Sequence, residues 1–459
     1  MAKGRRILRL WLKKKHVNLS STQIIALAFA GIILLGAILL TTPAASRDGI
    51  SCGFRPALFT ATSATCVTGL VLYDTWTQWS GFGQIVILCM IELGGLGFMA
   101  AASMVVFLFR RKIGLKQRML IAQAYSLNDI QGVVRLQQWV ILGSLVIQFT
   151  GALILFLRFL PYVGFRQSLI WGIFHSVSAF CNAGFDIFGS FAPGQSVVPF
   201  QSDPVVCITL MFLISTGGLG FFVWAEVVRV HNFKKFSVYT KLVLIMTMSL
   251  IVSGAVMFLI LEWNNPDTIG NMPFGDKILN AFFQSVTLRT AGFAAVDQAK
   301  LTDASKAVSV LLMLTGGSSG STAGGIKTVT VVVLLLAISA RARGKHSVNA
   351  FRRSVPQSQI MDAMTIVAIM VGLAFGGALF ITATSPINFT DSLFETASAL
   401  ATVGVTAGAT TLLSIPAQIM IIIFMYFGRV GVLTISLGFM MANRAEERFE
   451  YAHTNLLIG

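Results

Sequence analysis

The sequence predicts an all-α, polytopic membrane protein made of four M1–P–M2 repeats, each two spanning helices with a short re-entrant helix between them, around a central pore. Three observations predict it. Apolar runs long enough to cross a bilayer, about 17–25 residues, recur near 22–42, 82–109, 136–160, 204–228, 239–261, 307–340, 360–383 and 416–442. Shorter apolar segments at 56–66, 167–180, 276–288 and 390–400 lie between them, each too short to span and each running into a glycine-containing stretch. Basic residues gather in alternate connecting segments. Only 11% of the 459 residues are charged and 55% are hydrophobic, against about 25% charged in an average soluble domain. A soluble enzyme, a secreted scaffold and a disordered chain are thereby excluded.

Taken in order, residues 1–20 carry seven Lys and Arg and no acid. The apolar run that follows is too long for the core of a signal peptide and lacks an obvious small-residue cleavage site, so it reads as a retained first membrane helix. Segments 1–20, 110–135, 229–241, 341–353 and 443–459 hold 24 of the 34 Lys and Arg. The excess of positive charge on the cytoplasmic side of membrane proteins then puts both termini in the cytoplasm. Four hairpins follow: repeat 1 (21–115), repeat 2 (116–235), repeat 3 (236–345) and repeat 4 (346–442), between a basic N-terminus (1–20) and a C-terminal tail (443–459). The net charge of +16 therefore sets topology rather than marking nucleic acid, and its cytoplasmic segments serve either docking or contact with anionic membrane lipid. The five cysteines and five histidines are scattered, with no metal-ligand spacing or disulfide framework.

The short segments are copies of one another. They read Phe59-Thr-Ala-Thr-Ser-Ala-Thr65-Cys66-Val67-Thr68-Gly69, Phe174-His-Ser-Val-Ser-Ala-Phe-Cys181-Asn182-Ala183-Gly184, Phe283-Gln-Ser-Val-Thr-Leu-Arg289-Thr290-Ala291-Gly292 and Phe394-Glu-Thr-Ala-Ser-Ala-Leu-Ala401-Thr402-Val403-Gly404. Phe precedes Gly by ten positions in three repeats and by nine in the third. Each following helix carries a glycine break: Glu92-Leu-Gly-Gly-Leu-Gly97, Ser215-Thr-Gly-Gly-Leu-Gly220, Thr315-Gly-Gly-Ser-Ser-Gly320 and Phe427-Gly-Arg-Val-Gly431. A single membrane glycine usually serves close helix packing, but four breaks at equivalent places point to a shared architecture. Non-helical backbone at membrane depth survives only when buried or lining water, and a ring of backbone carbonyls can replace the hydration shell of a monovalent cation. Glycine allows the backbone angles that aim such carbonyls inward. The expected site is a monovalent cation held by backbone carbonyls of Thr65–Gly69, Cys181–Gly184, Arg289–Gly292 and Ala401–Gly404, with Cys66, Cys181, Thr290 and Thr402 at corresponding places.

These motifs, together with the run Thr315-Gly316-Gly317-Ser318-Ser319-Gly320-Ser321-Thr322-Ala323-Gly324-Gly325 and Gly428-Arg429-Val-Gly431, resemble the Ktr/Trk/HKT superfamily of potassium transporters over essentially the whole chain. The likeness is to the membrane subunit of bacterial Ktr systems, because Trk subunits usually have an additional N-terminal helix pair and the first repeat here begins near residue 22. The resemblance implies four filter glycines, Gly69, Gly184, Gly292 and Gly404, and makes the cation held there potassium. It implies a gate formed by Thr315–Gly325, an electrostatic barrier at Arg429, and potassium preference from glycine rather than serine at position 69. It further implies a homodimer in a bacterial cytoplasmic membrane and a KtrA-like cytosolic ring of RCK domains that binds ATP or ADP, with no cofactor in this chain. A snorkelling or salt-bridged Arg429 is the plainer alternative.

Other singled-out residues carry open readings. Arg289 is read as a brace with Glu395 one partner, and His175 as structural. Asp74 either attracts cations or caps a helix; Lys327 either pairs with an acid or faces water. Glu92 and Glu226 are read as solvated or paired, and Trp76, Trp79, Trp171 and Trp263 as interfacial anchors. A sodium-permeable or sodium-coupled cation transporter and a secondary transporter of a small solute are the alternative functions. An enzyme is not expected, since no HExxH, GxSxG, P-loop or dinucleotide motif is present.

Overall fold

The computed structural model describes residues 21–97, 133–345 and 347–431. The basic N-terminus, nearly all of the 110–135 segment, the C-terminal tail and the far halves of the predicted 82–109 and 416–442 spans lie outside the described residues. Repeat 1 holds α1 (Ser21–Thr41), α2 (Phe54–Thr65) and α3 (Gly81–Gly95). Repeat 2 holds α4 (Val133–Phe180), α5 (Pro204–Leu219) and α6 (Phe221–Val230). Repeat 3 holds α7 (Val238–Glu262), α8 (Phe274–Thr287), α9 (Asp303–Leu314) and α10 (Thr328–Ala342). Repeat 4 holds α11 (Gln357–Thr384), α12 (Phe389–Leu400) and α13 (Ile415–Val430).

Local chemistry explains the boundaries. Polar N-caps start the inner helices: Ser80 for α3, Asp203 for α5, Thr302 for α9 and Ser414 for α13 each accept a bond from a first-turn N–H, each worth about 1 kcal/mol. Pro204 follows Asp203 at the first helical position, where its missing N–H costs nothing. Within α4, Pro161 and Gly164 (φ 73°, ψ 174°) divide a peripheral helix from a short central one. The chain thus turns inward without a loop, and the predicted elements 136–160 and 167–180 become one bent element.

Among the described residues, four helices are long and apolar enough to cross a bilayer: Gln23–Thr41, Gln137–Phe180, Val238–Glu262 and Gln357–Thr384. They begin the four repeats, and they expose apolar side chains such as Phe149 (72%) and Leu379 (62%) on the outside. The other predicted spans are interrupted or end within the described residues. The α5–α6 pair bends by 96° at Gly220, α9 and α10 are separated by the Gly/Ser/Thr run, and α3 and α13 end at their own glycine breaks.

The repeats close on themselves. Inner helix α3 packs on α4, α5 on α8, α9 on α12, and α13 returns to α2. Each repeat therefore leans on the short central helix of the next, around a single axis. The central helices are almost entirely buried, from Phe59 to Thr65 in α2 and from Phe394 to Leu400 in α12. A two-stranded hairpin, Asn349–Ala350 with Arg353–Ser354, departs from the all-α expectation. Its turn residues Phe351 and Arg352 both have positive φ, as a two-residue hairpin of this hand requires. Lys241 lies 5.6 Å over the Phe351 ring, so basic segments 229–241 and 341–353 meet on one side.

Two expected interfacial anchors are core residues instead. Trp79 and Trp171 are fully buried, and Trp171 packs edge-on against Phe159 and Phe188 at 5.5 and 5.0 Å. Trp171 lies within the short central part of α4 and Trp79 just before α3, both packed inside protein rather than at the lipid boundary. Lys306 of α9 pairs with Asp391 of α12 at 2.7 Å, both largely buried. Lys306→Met should lower stability by roughly 3 kcal/mol, because a buried carboxylate loses its partner. Adding Asp391→Leu should recover most of that loss; melting in detergent checks both, and an unaltered single variant would deny the pair a structural part.

Candidate functional site

Each short central helix ends in the same tight reversal. In repeats 1, 2 and 4 the residue two before the glycine is left-handed: Val67 (φ 56°), Asn182 (φ 59°) and Thr402 (φ 52°). Its N–H donates three residues back, to Ala64, Ala179 and Ala399 (3.1–3.2 Å). The next N–H, from Thr68, Ala183 or Val403, donates five back, to Ser63, Ser178 or Ser398, at 2.8 Å. This is a Schellman turn, which satisfies the last helical carbonyls and usually takes glycine at the left-handed place. Repeat 3 has one residue fewer, and Ala291 donates to Thr287 four residues back, at 2.9 Å. Thr290 is nonetheless left-handed (φ 67°).

The left-handed positions, counted back from each glycine, correct the register read from sequence in repeats 3 and 4. The residues three before the glycine are Cys66, Cys181, Arg289 and Ala401, all buried. The left-handed set is Val67, Asn182, Thr290 and Thr402, so Thr290 and Thr402 do not correspond to Cys66 and Cys181. Three of those four side chains are β-branched, for which positive φ is a marked outlier, at a cost of roughly 1–3 kcal/mol each. The turns persist because a second set of bonds holds them. Ser63 and Ser398 hydroxyls accept from Gly69 and Gly404 N–H at 3.0 Å. Ser178 and Thr287 hydroxyls donate to Phe185 and Phe293 carbonyls at 2.7 and 2.6 Å. These four hydroxyls were visible only as a small/hydroxyl pattern in the sequence.

The four turns form a ring. Gly69, Gly184, Gly292 and Gly404 have φ of 106°, 69°, 88° and 98°. A Cβ on Gly69 would lie 2.7 Å from Ala183 O; on Gly184, 2.8 Å from Ala291 O; on Gly292, 2.7 Å from Val403 O; and on Gly404 it would collide with Thr68 O. Each glycine thus faces the carbonyl of the next repeat in cyclic order, and no side chain fits between them. Among the described residues no group of three His, Cys, Asp or Glu gathers as a metal site; the oxygens that face the four glycines are backbone carbonyls.

Below the ring lie the glycine breaks. Gly97, Gly220, Gly320 and Gly431 all have positive φ, from 70° to 95°. The preceding glycines allow direct contact with central-helix ends: a Cβ on Gly94, Gly217 or Gly428 would strike the carbonyl of Thr65, Phe180 or Leu400. Breaking α5 frees its last carbonyls, and the Thr315–Gly325 run uses them. Ser318 and Thr322 N–H donate to Gly218 and Gly217 carbonyls at 3.1 and 3.2 Å, and Phe221 N–H returns a bond to Gly320 O at 2.9 Å. Tyr239 OH donates to Ser319 O at 2.9 Å. The Thr322 hydroxyl reaches Phe180 O (3.2 Å) and the Asn182 side-chain amide (3.3 Å), so the loop touches the ring directly.

Arg429 joins loop and break. Its guanidinium donates to Thr322 O and to Gly94 and Gly95 carbonyls at the end of α3. It forms no ion pair among the described residues. A cation at the C-terminal end of a helix is favourable, and a planar fork suits several carbonyls at once. Lys327 donates to Ala323 O at 2.7 Å within its own loop and pairs with no acid among the described residues.

The remaining residues separate. Arg289 reaches Thr247 of α7 at 3.5 Å; Glu395 accepts instead from Thr406 (2.8 Å) and Thr410, so those two do not pair. His175 is buried, with Ile187 N–H donating to Nε2 at 3.2 Å and Phe188 stacked at 3.8 Å. Asp74 caps Thr75–Gln78 by accepting from Thr77 N–H and also accepts from Gly194 N–H. Glu226 accepts from Ser237 and Thr240, and Glu92 from Gln148 and Cys181.

The sequence profile of the TrkH family, described as a cation transport protein, matches residues 9–451. The chain is 37% identical over 452 residues to the potassium/sodium uptake protein NtpJ of Enterococcus hirae, covering 97% of this chain and 99% of that one. It is 38% identical over 435 residues to the Ktr system potassium uptake protein B of Bacillus subtilis, covering 95% and 96%. The crystal structure of the potassium transporter TrkH from Vibrio parahaemolyticus has the same fold, with a TM-score of 0.72 at 16% identity over 93% of this chain and 86% of that one. Four closed repeats with a carbonyl-lined ring and a full-length profile match make this multi-pass membrane protein a member of the TrkH family of cation transport proteins, not an enzyme.

Proposed function

We propose that the protein takes up potassium across a bacterial cytoplasmic membrane, with the ring of Gly69, Gly184, Gly292 and Gly404 as selectivity filter. The observation that carries this reading is the facing of each filter glycine by the carbonyl of the next repeat. A dehydrated monovalent cation there exchanges water oxygens for carbonyl oxygens. In this reading the Thr315–Gly325 run is the gate, since it lies against Asn182 and Thr402 beneath the ring. Arg429 adds a positive charge where cations leave. The names of the Bacillus subtilis and Vibrio alginolyticus relatives, as parts of a Ktr system, support a partner subunit, which we read as a cytosolic nucleotide-binding ring on the basic side, with the membrane chain a homodimer and its termini cytoplasmic.

Purified protein in liposomes should take up rubidium, used as a potassium tracer, down an imposed potassium gradient, and should discriminate against sodium. Absence of rubidium uptake would remove the reading. The name of the Enterococcus hirae relative includes sodium, and equal rubidium and sodium fluxes would favour the sodium-permeable alternative.

A further inference from the structure

Arg289, Glu395, His175 and Lys327 find hydrogen-bond partners within their own repeats; Glu92 does not. It lies on α3, two residues before Gly94. The corresponding residues of repeats 2 and 4 are Ser215 and Tyr426, so the acid has no counterpart there. It takes part in no ion pair among the described residues. Its carboxylate crosses from repeat 1 into repeat 2. The Gln148 amide of α4 donates to both oxygens, at 3.1 and 3.3 Å, and the Cys181 thiol donates to Oε2 at 3.3 Å. Gln148 is itself held from the central helix, since the Ser176 hydroxyl donates to its carbonyl at 2.6 Å. Cys181 is the residue just before left-handed Asn182, whose turn presents Ala183 O to Gly69.

An acid held at membrane depth is costly and calls for a purpose. We propose that Glu92 is a positioning residue for cation selection: through the Cys181 thiol it fixes the repeat-2 turn against repeat 1, and with it the Ala183 carbonyl in the ring. The repeat-3 turn is held at the same register by different chemistry, Arg289 on Thr247. The filter is thus four similar backbones held from behind by unlike side chains. This inference rests on the filter reading above.

The test uses the full chain in liposomes, with the sodium-to-rubidium flux ratio and the rubidium KM as readouts. Glu92→Gln keeps shape but loses one acceptor, and Cys181→Ala removes the thiol. Each should raise the ratio about tenfold, and the double variant should go no further, because both remove one interaction. Gln148→Leu, on a peripheral helix that tolerates apolar side chains, should move the ratio the same way and covers the case in which Glu92→Gln does not insert. An unchanged ratio in all of these, effects that multiply in the double variant, or a KM shift at constant ratio would overturn the proposal; the last would mean that Glu92 acts as a charge near the path. Wild-type protein that passes no cation would remove the filter reading together with this one. Wild-type protein that passes rubidium while the variants keep its ratio would remove only the role of Glu92.

Discussion

Replacing Gly404 by alanine is expected to cut rubidium flux through the reconstituted protein by ~100-fold or more, about 2.7 kcal/mol of added barrier, while the chain still inserts and assembles. Two effects add. At φ 98° an alanine pays roughly 1–2 kcal/mol for a left-handed backbone. Its Cβ would also collide with Thr68 O and sit 2.8 Å from Gly69 Cα. Relief is available only by moving the repeat-1 turn, which changes the ring for every ion that passes. Gly372→Ala is the matched control. It lies in α11 with nothing within 4 Å of its would-be Cβ, so alanine there should stabilise the helix by about 0.5–1 kcal/mol and leave flux unchanged. Normal flux in Gly404→Ala would mean that the ring is not on the ion path.

Arg429→Ala is expected to act in the opposite direction, raising basal rubidium flux about tenfold, or ~1.4 kcal/mol. The guanidinium both repels a cation and ties Thr322 to the end of α3. Its removal lowers the electrostatic barrier and releases one anchor of the loop. Arg429→Lys should fall between the two, since an ammonium keeps the charge without the planar fork. Deleting Ser319–Ser321, which removes the contacts to Tyr239 and to Phe221, should also raise basal flux. Unchanged flux and voltage dependence in Arg429→Ala, with unchanged flux in the deletion, would leave neither barrier nor gate at this level.

Much of the site could be read from residues alone, for reasons of chain geometry. A glycine at a fixed distance from Phe, four times over, marks a backbone conformation that other residues adopt only under constraint. Four glycine breaks mark helices that cannot run straight, and Gly97, Gly220, Gly320 and Gly431 are where the backbone turns. Arg429 stood out because charge is rare in so apolar a chain. Counting residues cannot say where the deletion in repeat 3 is absorbed, nor which residue before each glycine turns left-handed. The deletion falls between Thr287 and Thr290, where an i to i−4 bond replaces the i to i−5 bond of the other repeats. Trp79 and Trp171 were placed at the lipid boundary by sequence position, whereas their burial depends on which helices surround them.

From sequence alone came the hydrophobic spans, the fourfold repetition, the glycines that permit a ring and the one arginine within the last span. These are local properties: apolar length against bilayer thickness, and the conformational freedom of single residues. Tertiary structure decided the cyclic order of the repeats, the facing of each glycine by the next repeat's carbonyl, the attachment of the Thr315–Gly325 run to the broken end of α5, and the partners of Glu92, Arg289 and Arg429. Those contacts join residues far apart in the chain, as Arg429 joins Gly94 across 335 positions. Their basis is the need of every carbonyl freed by a broken helix inside a membrane to find a donor, wherever in the chain that donor lies.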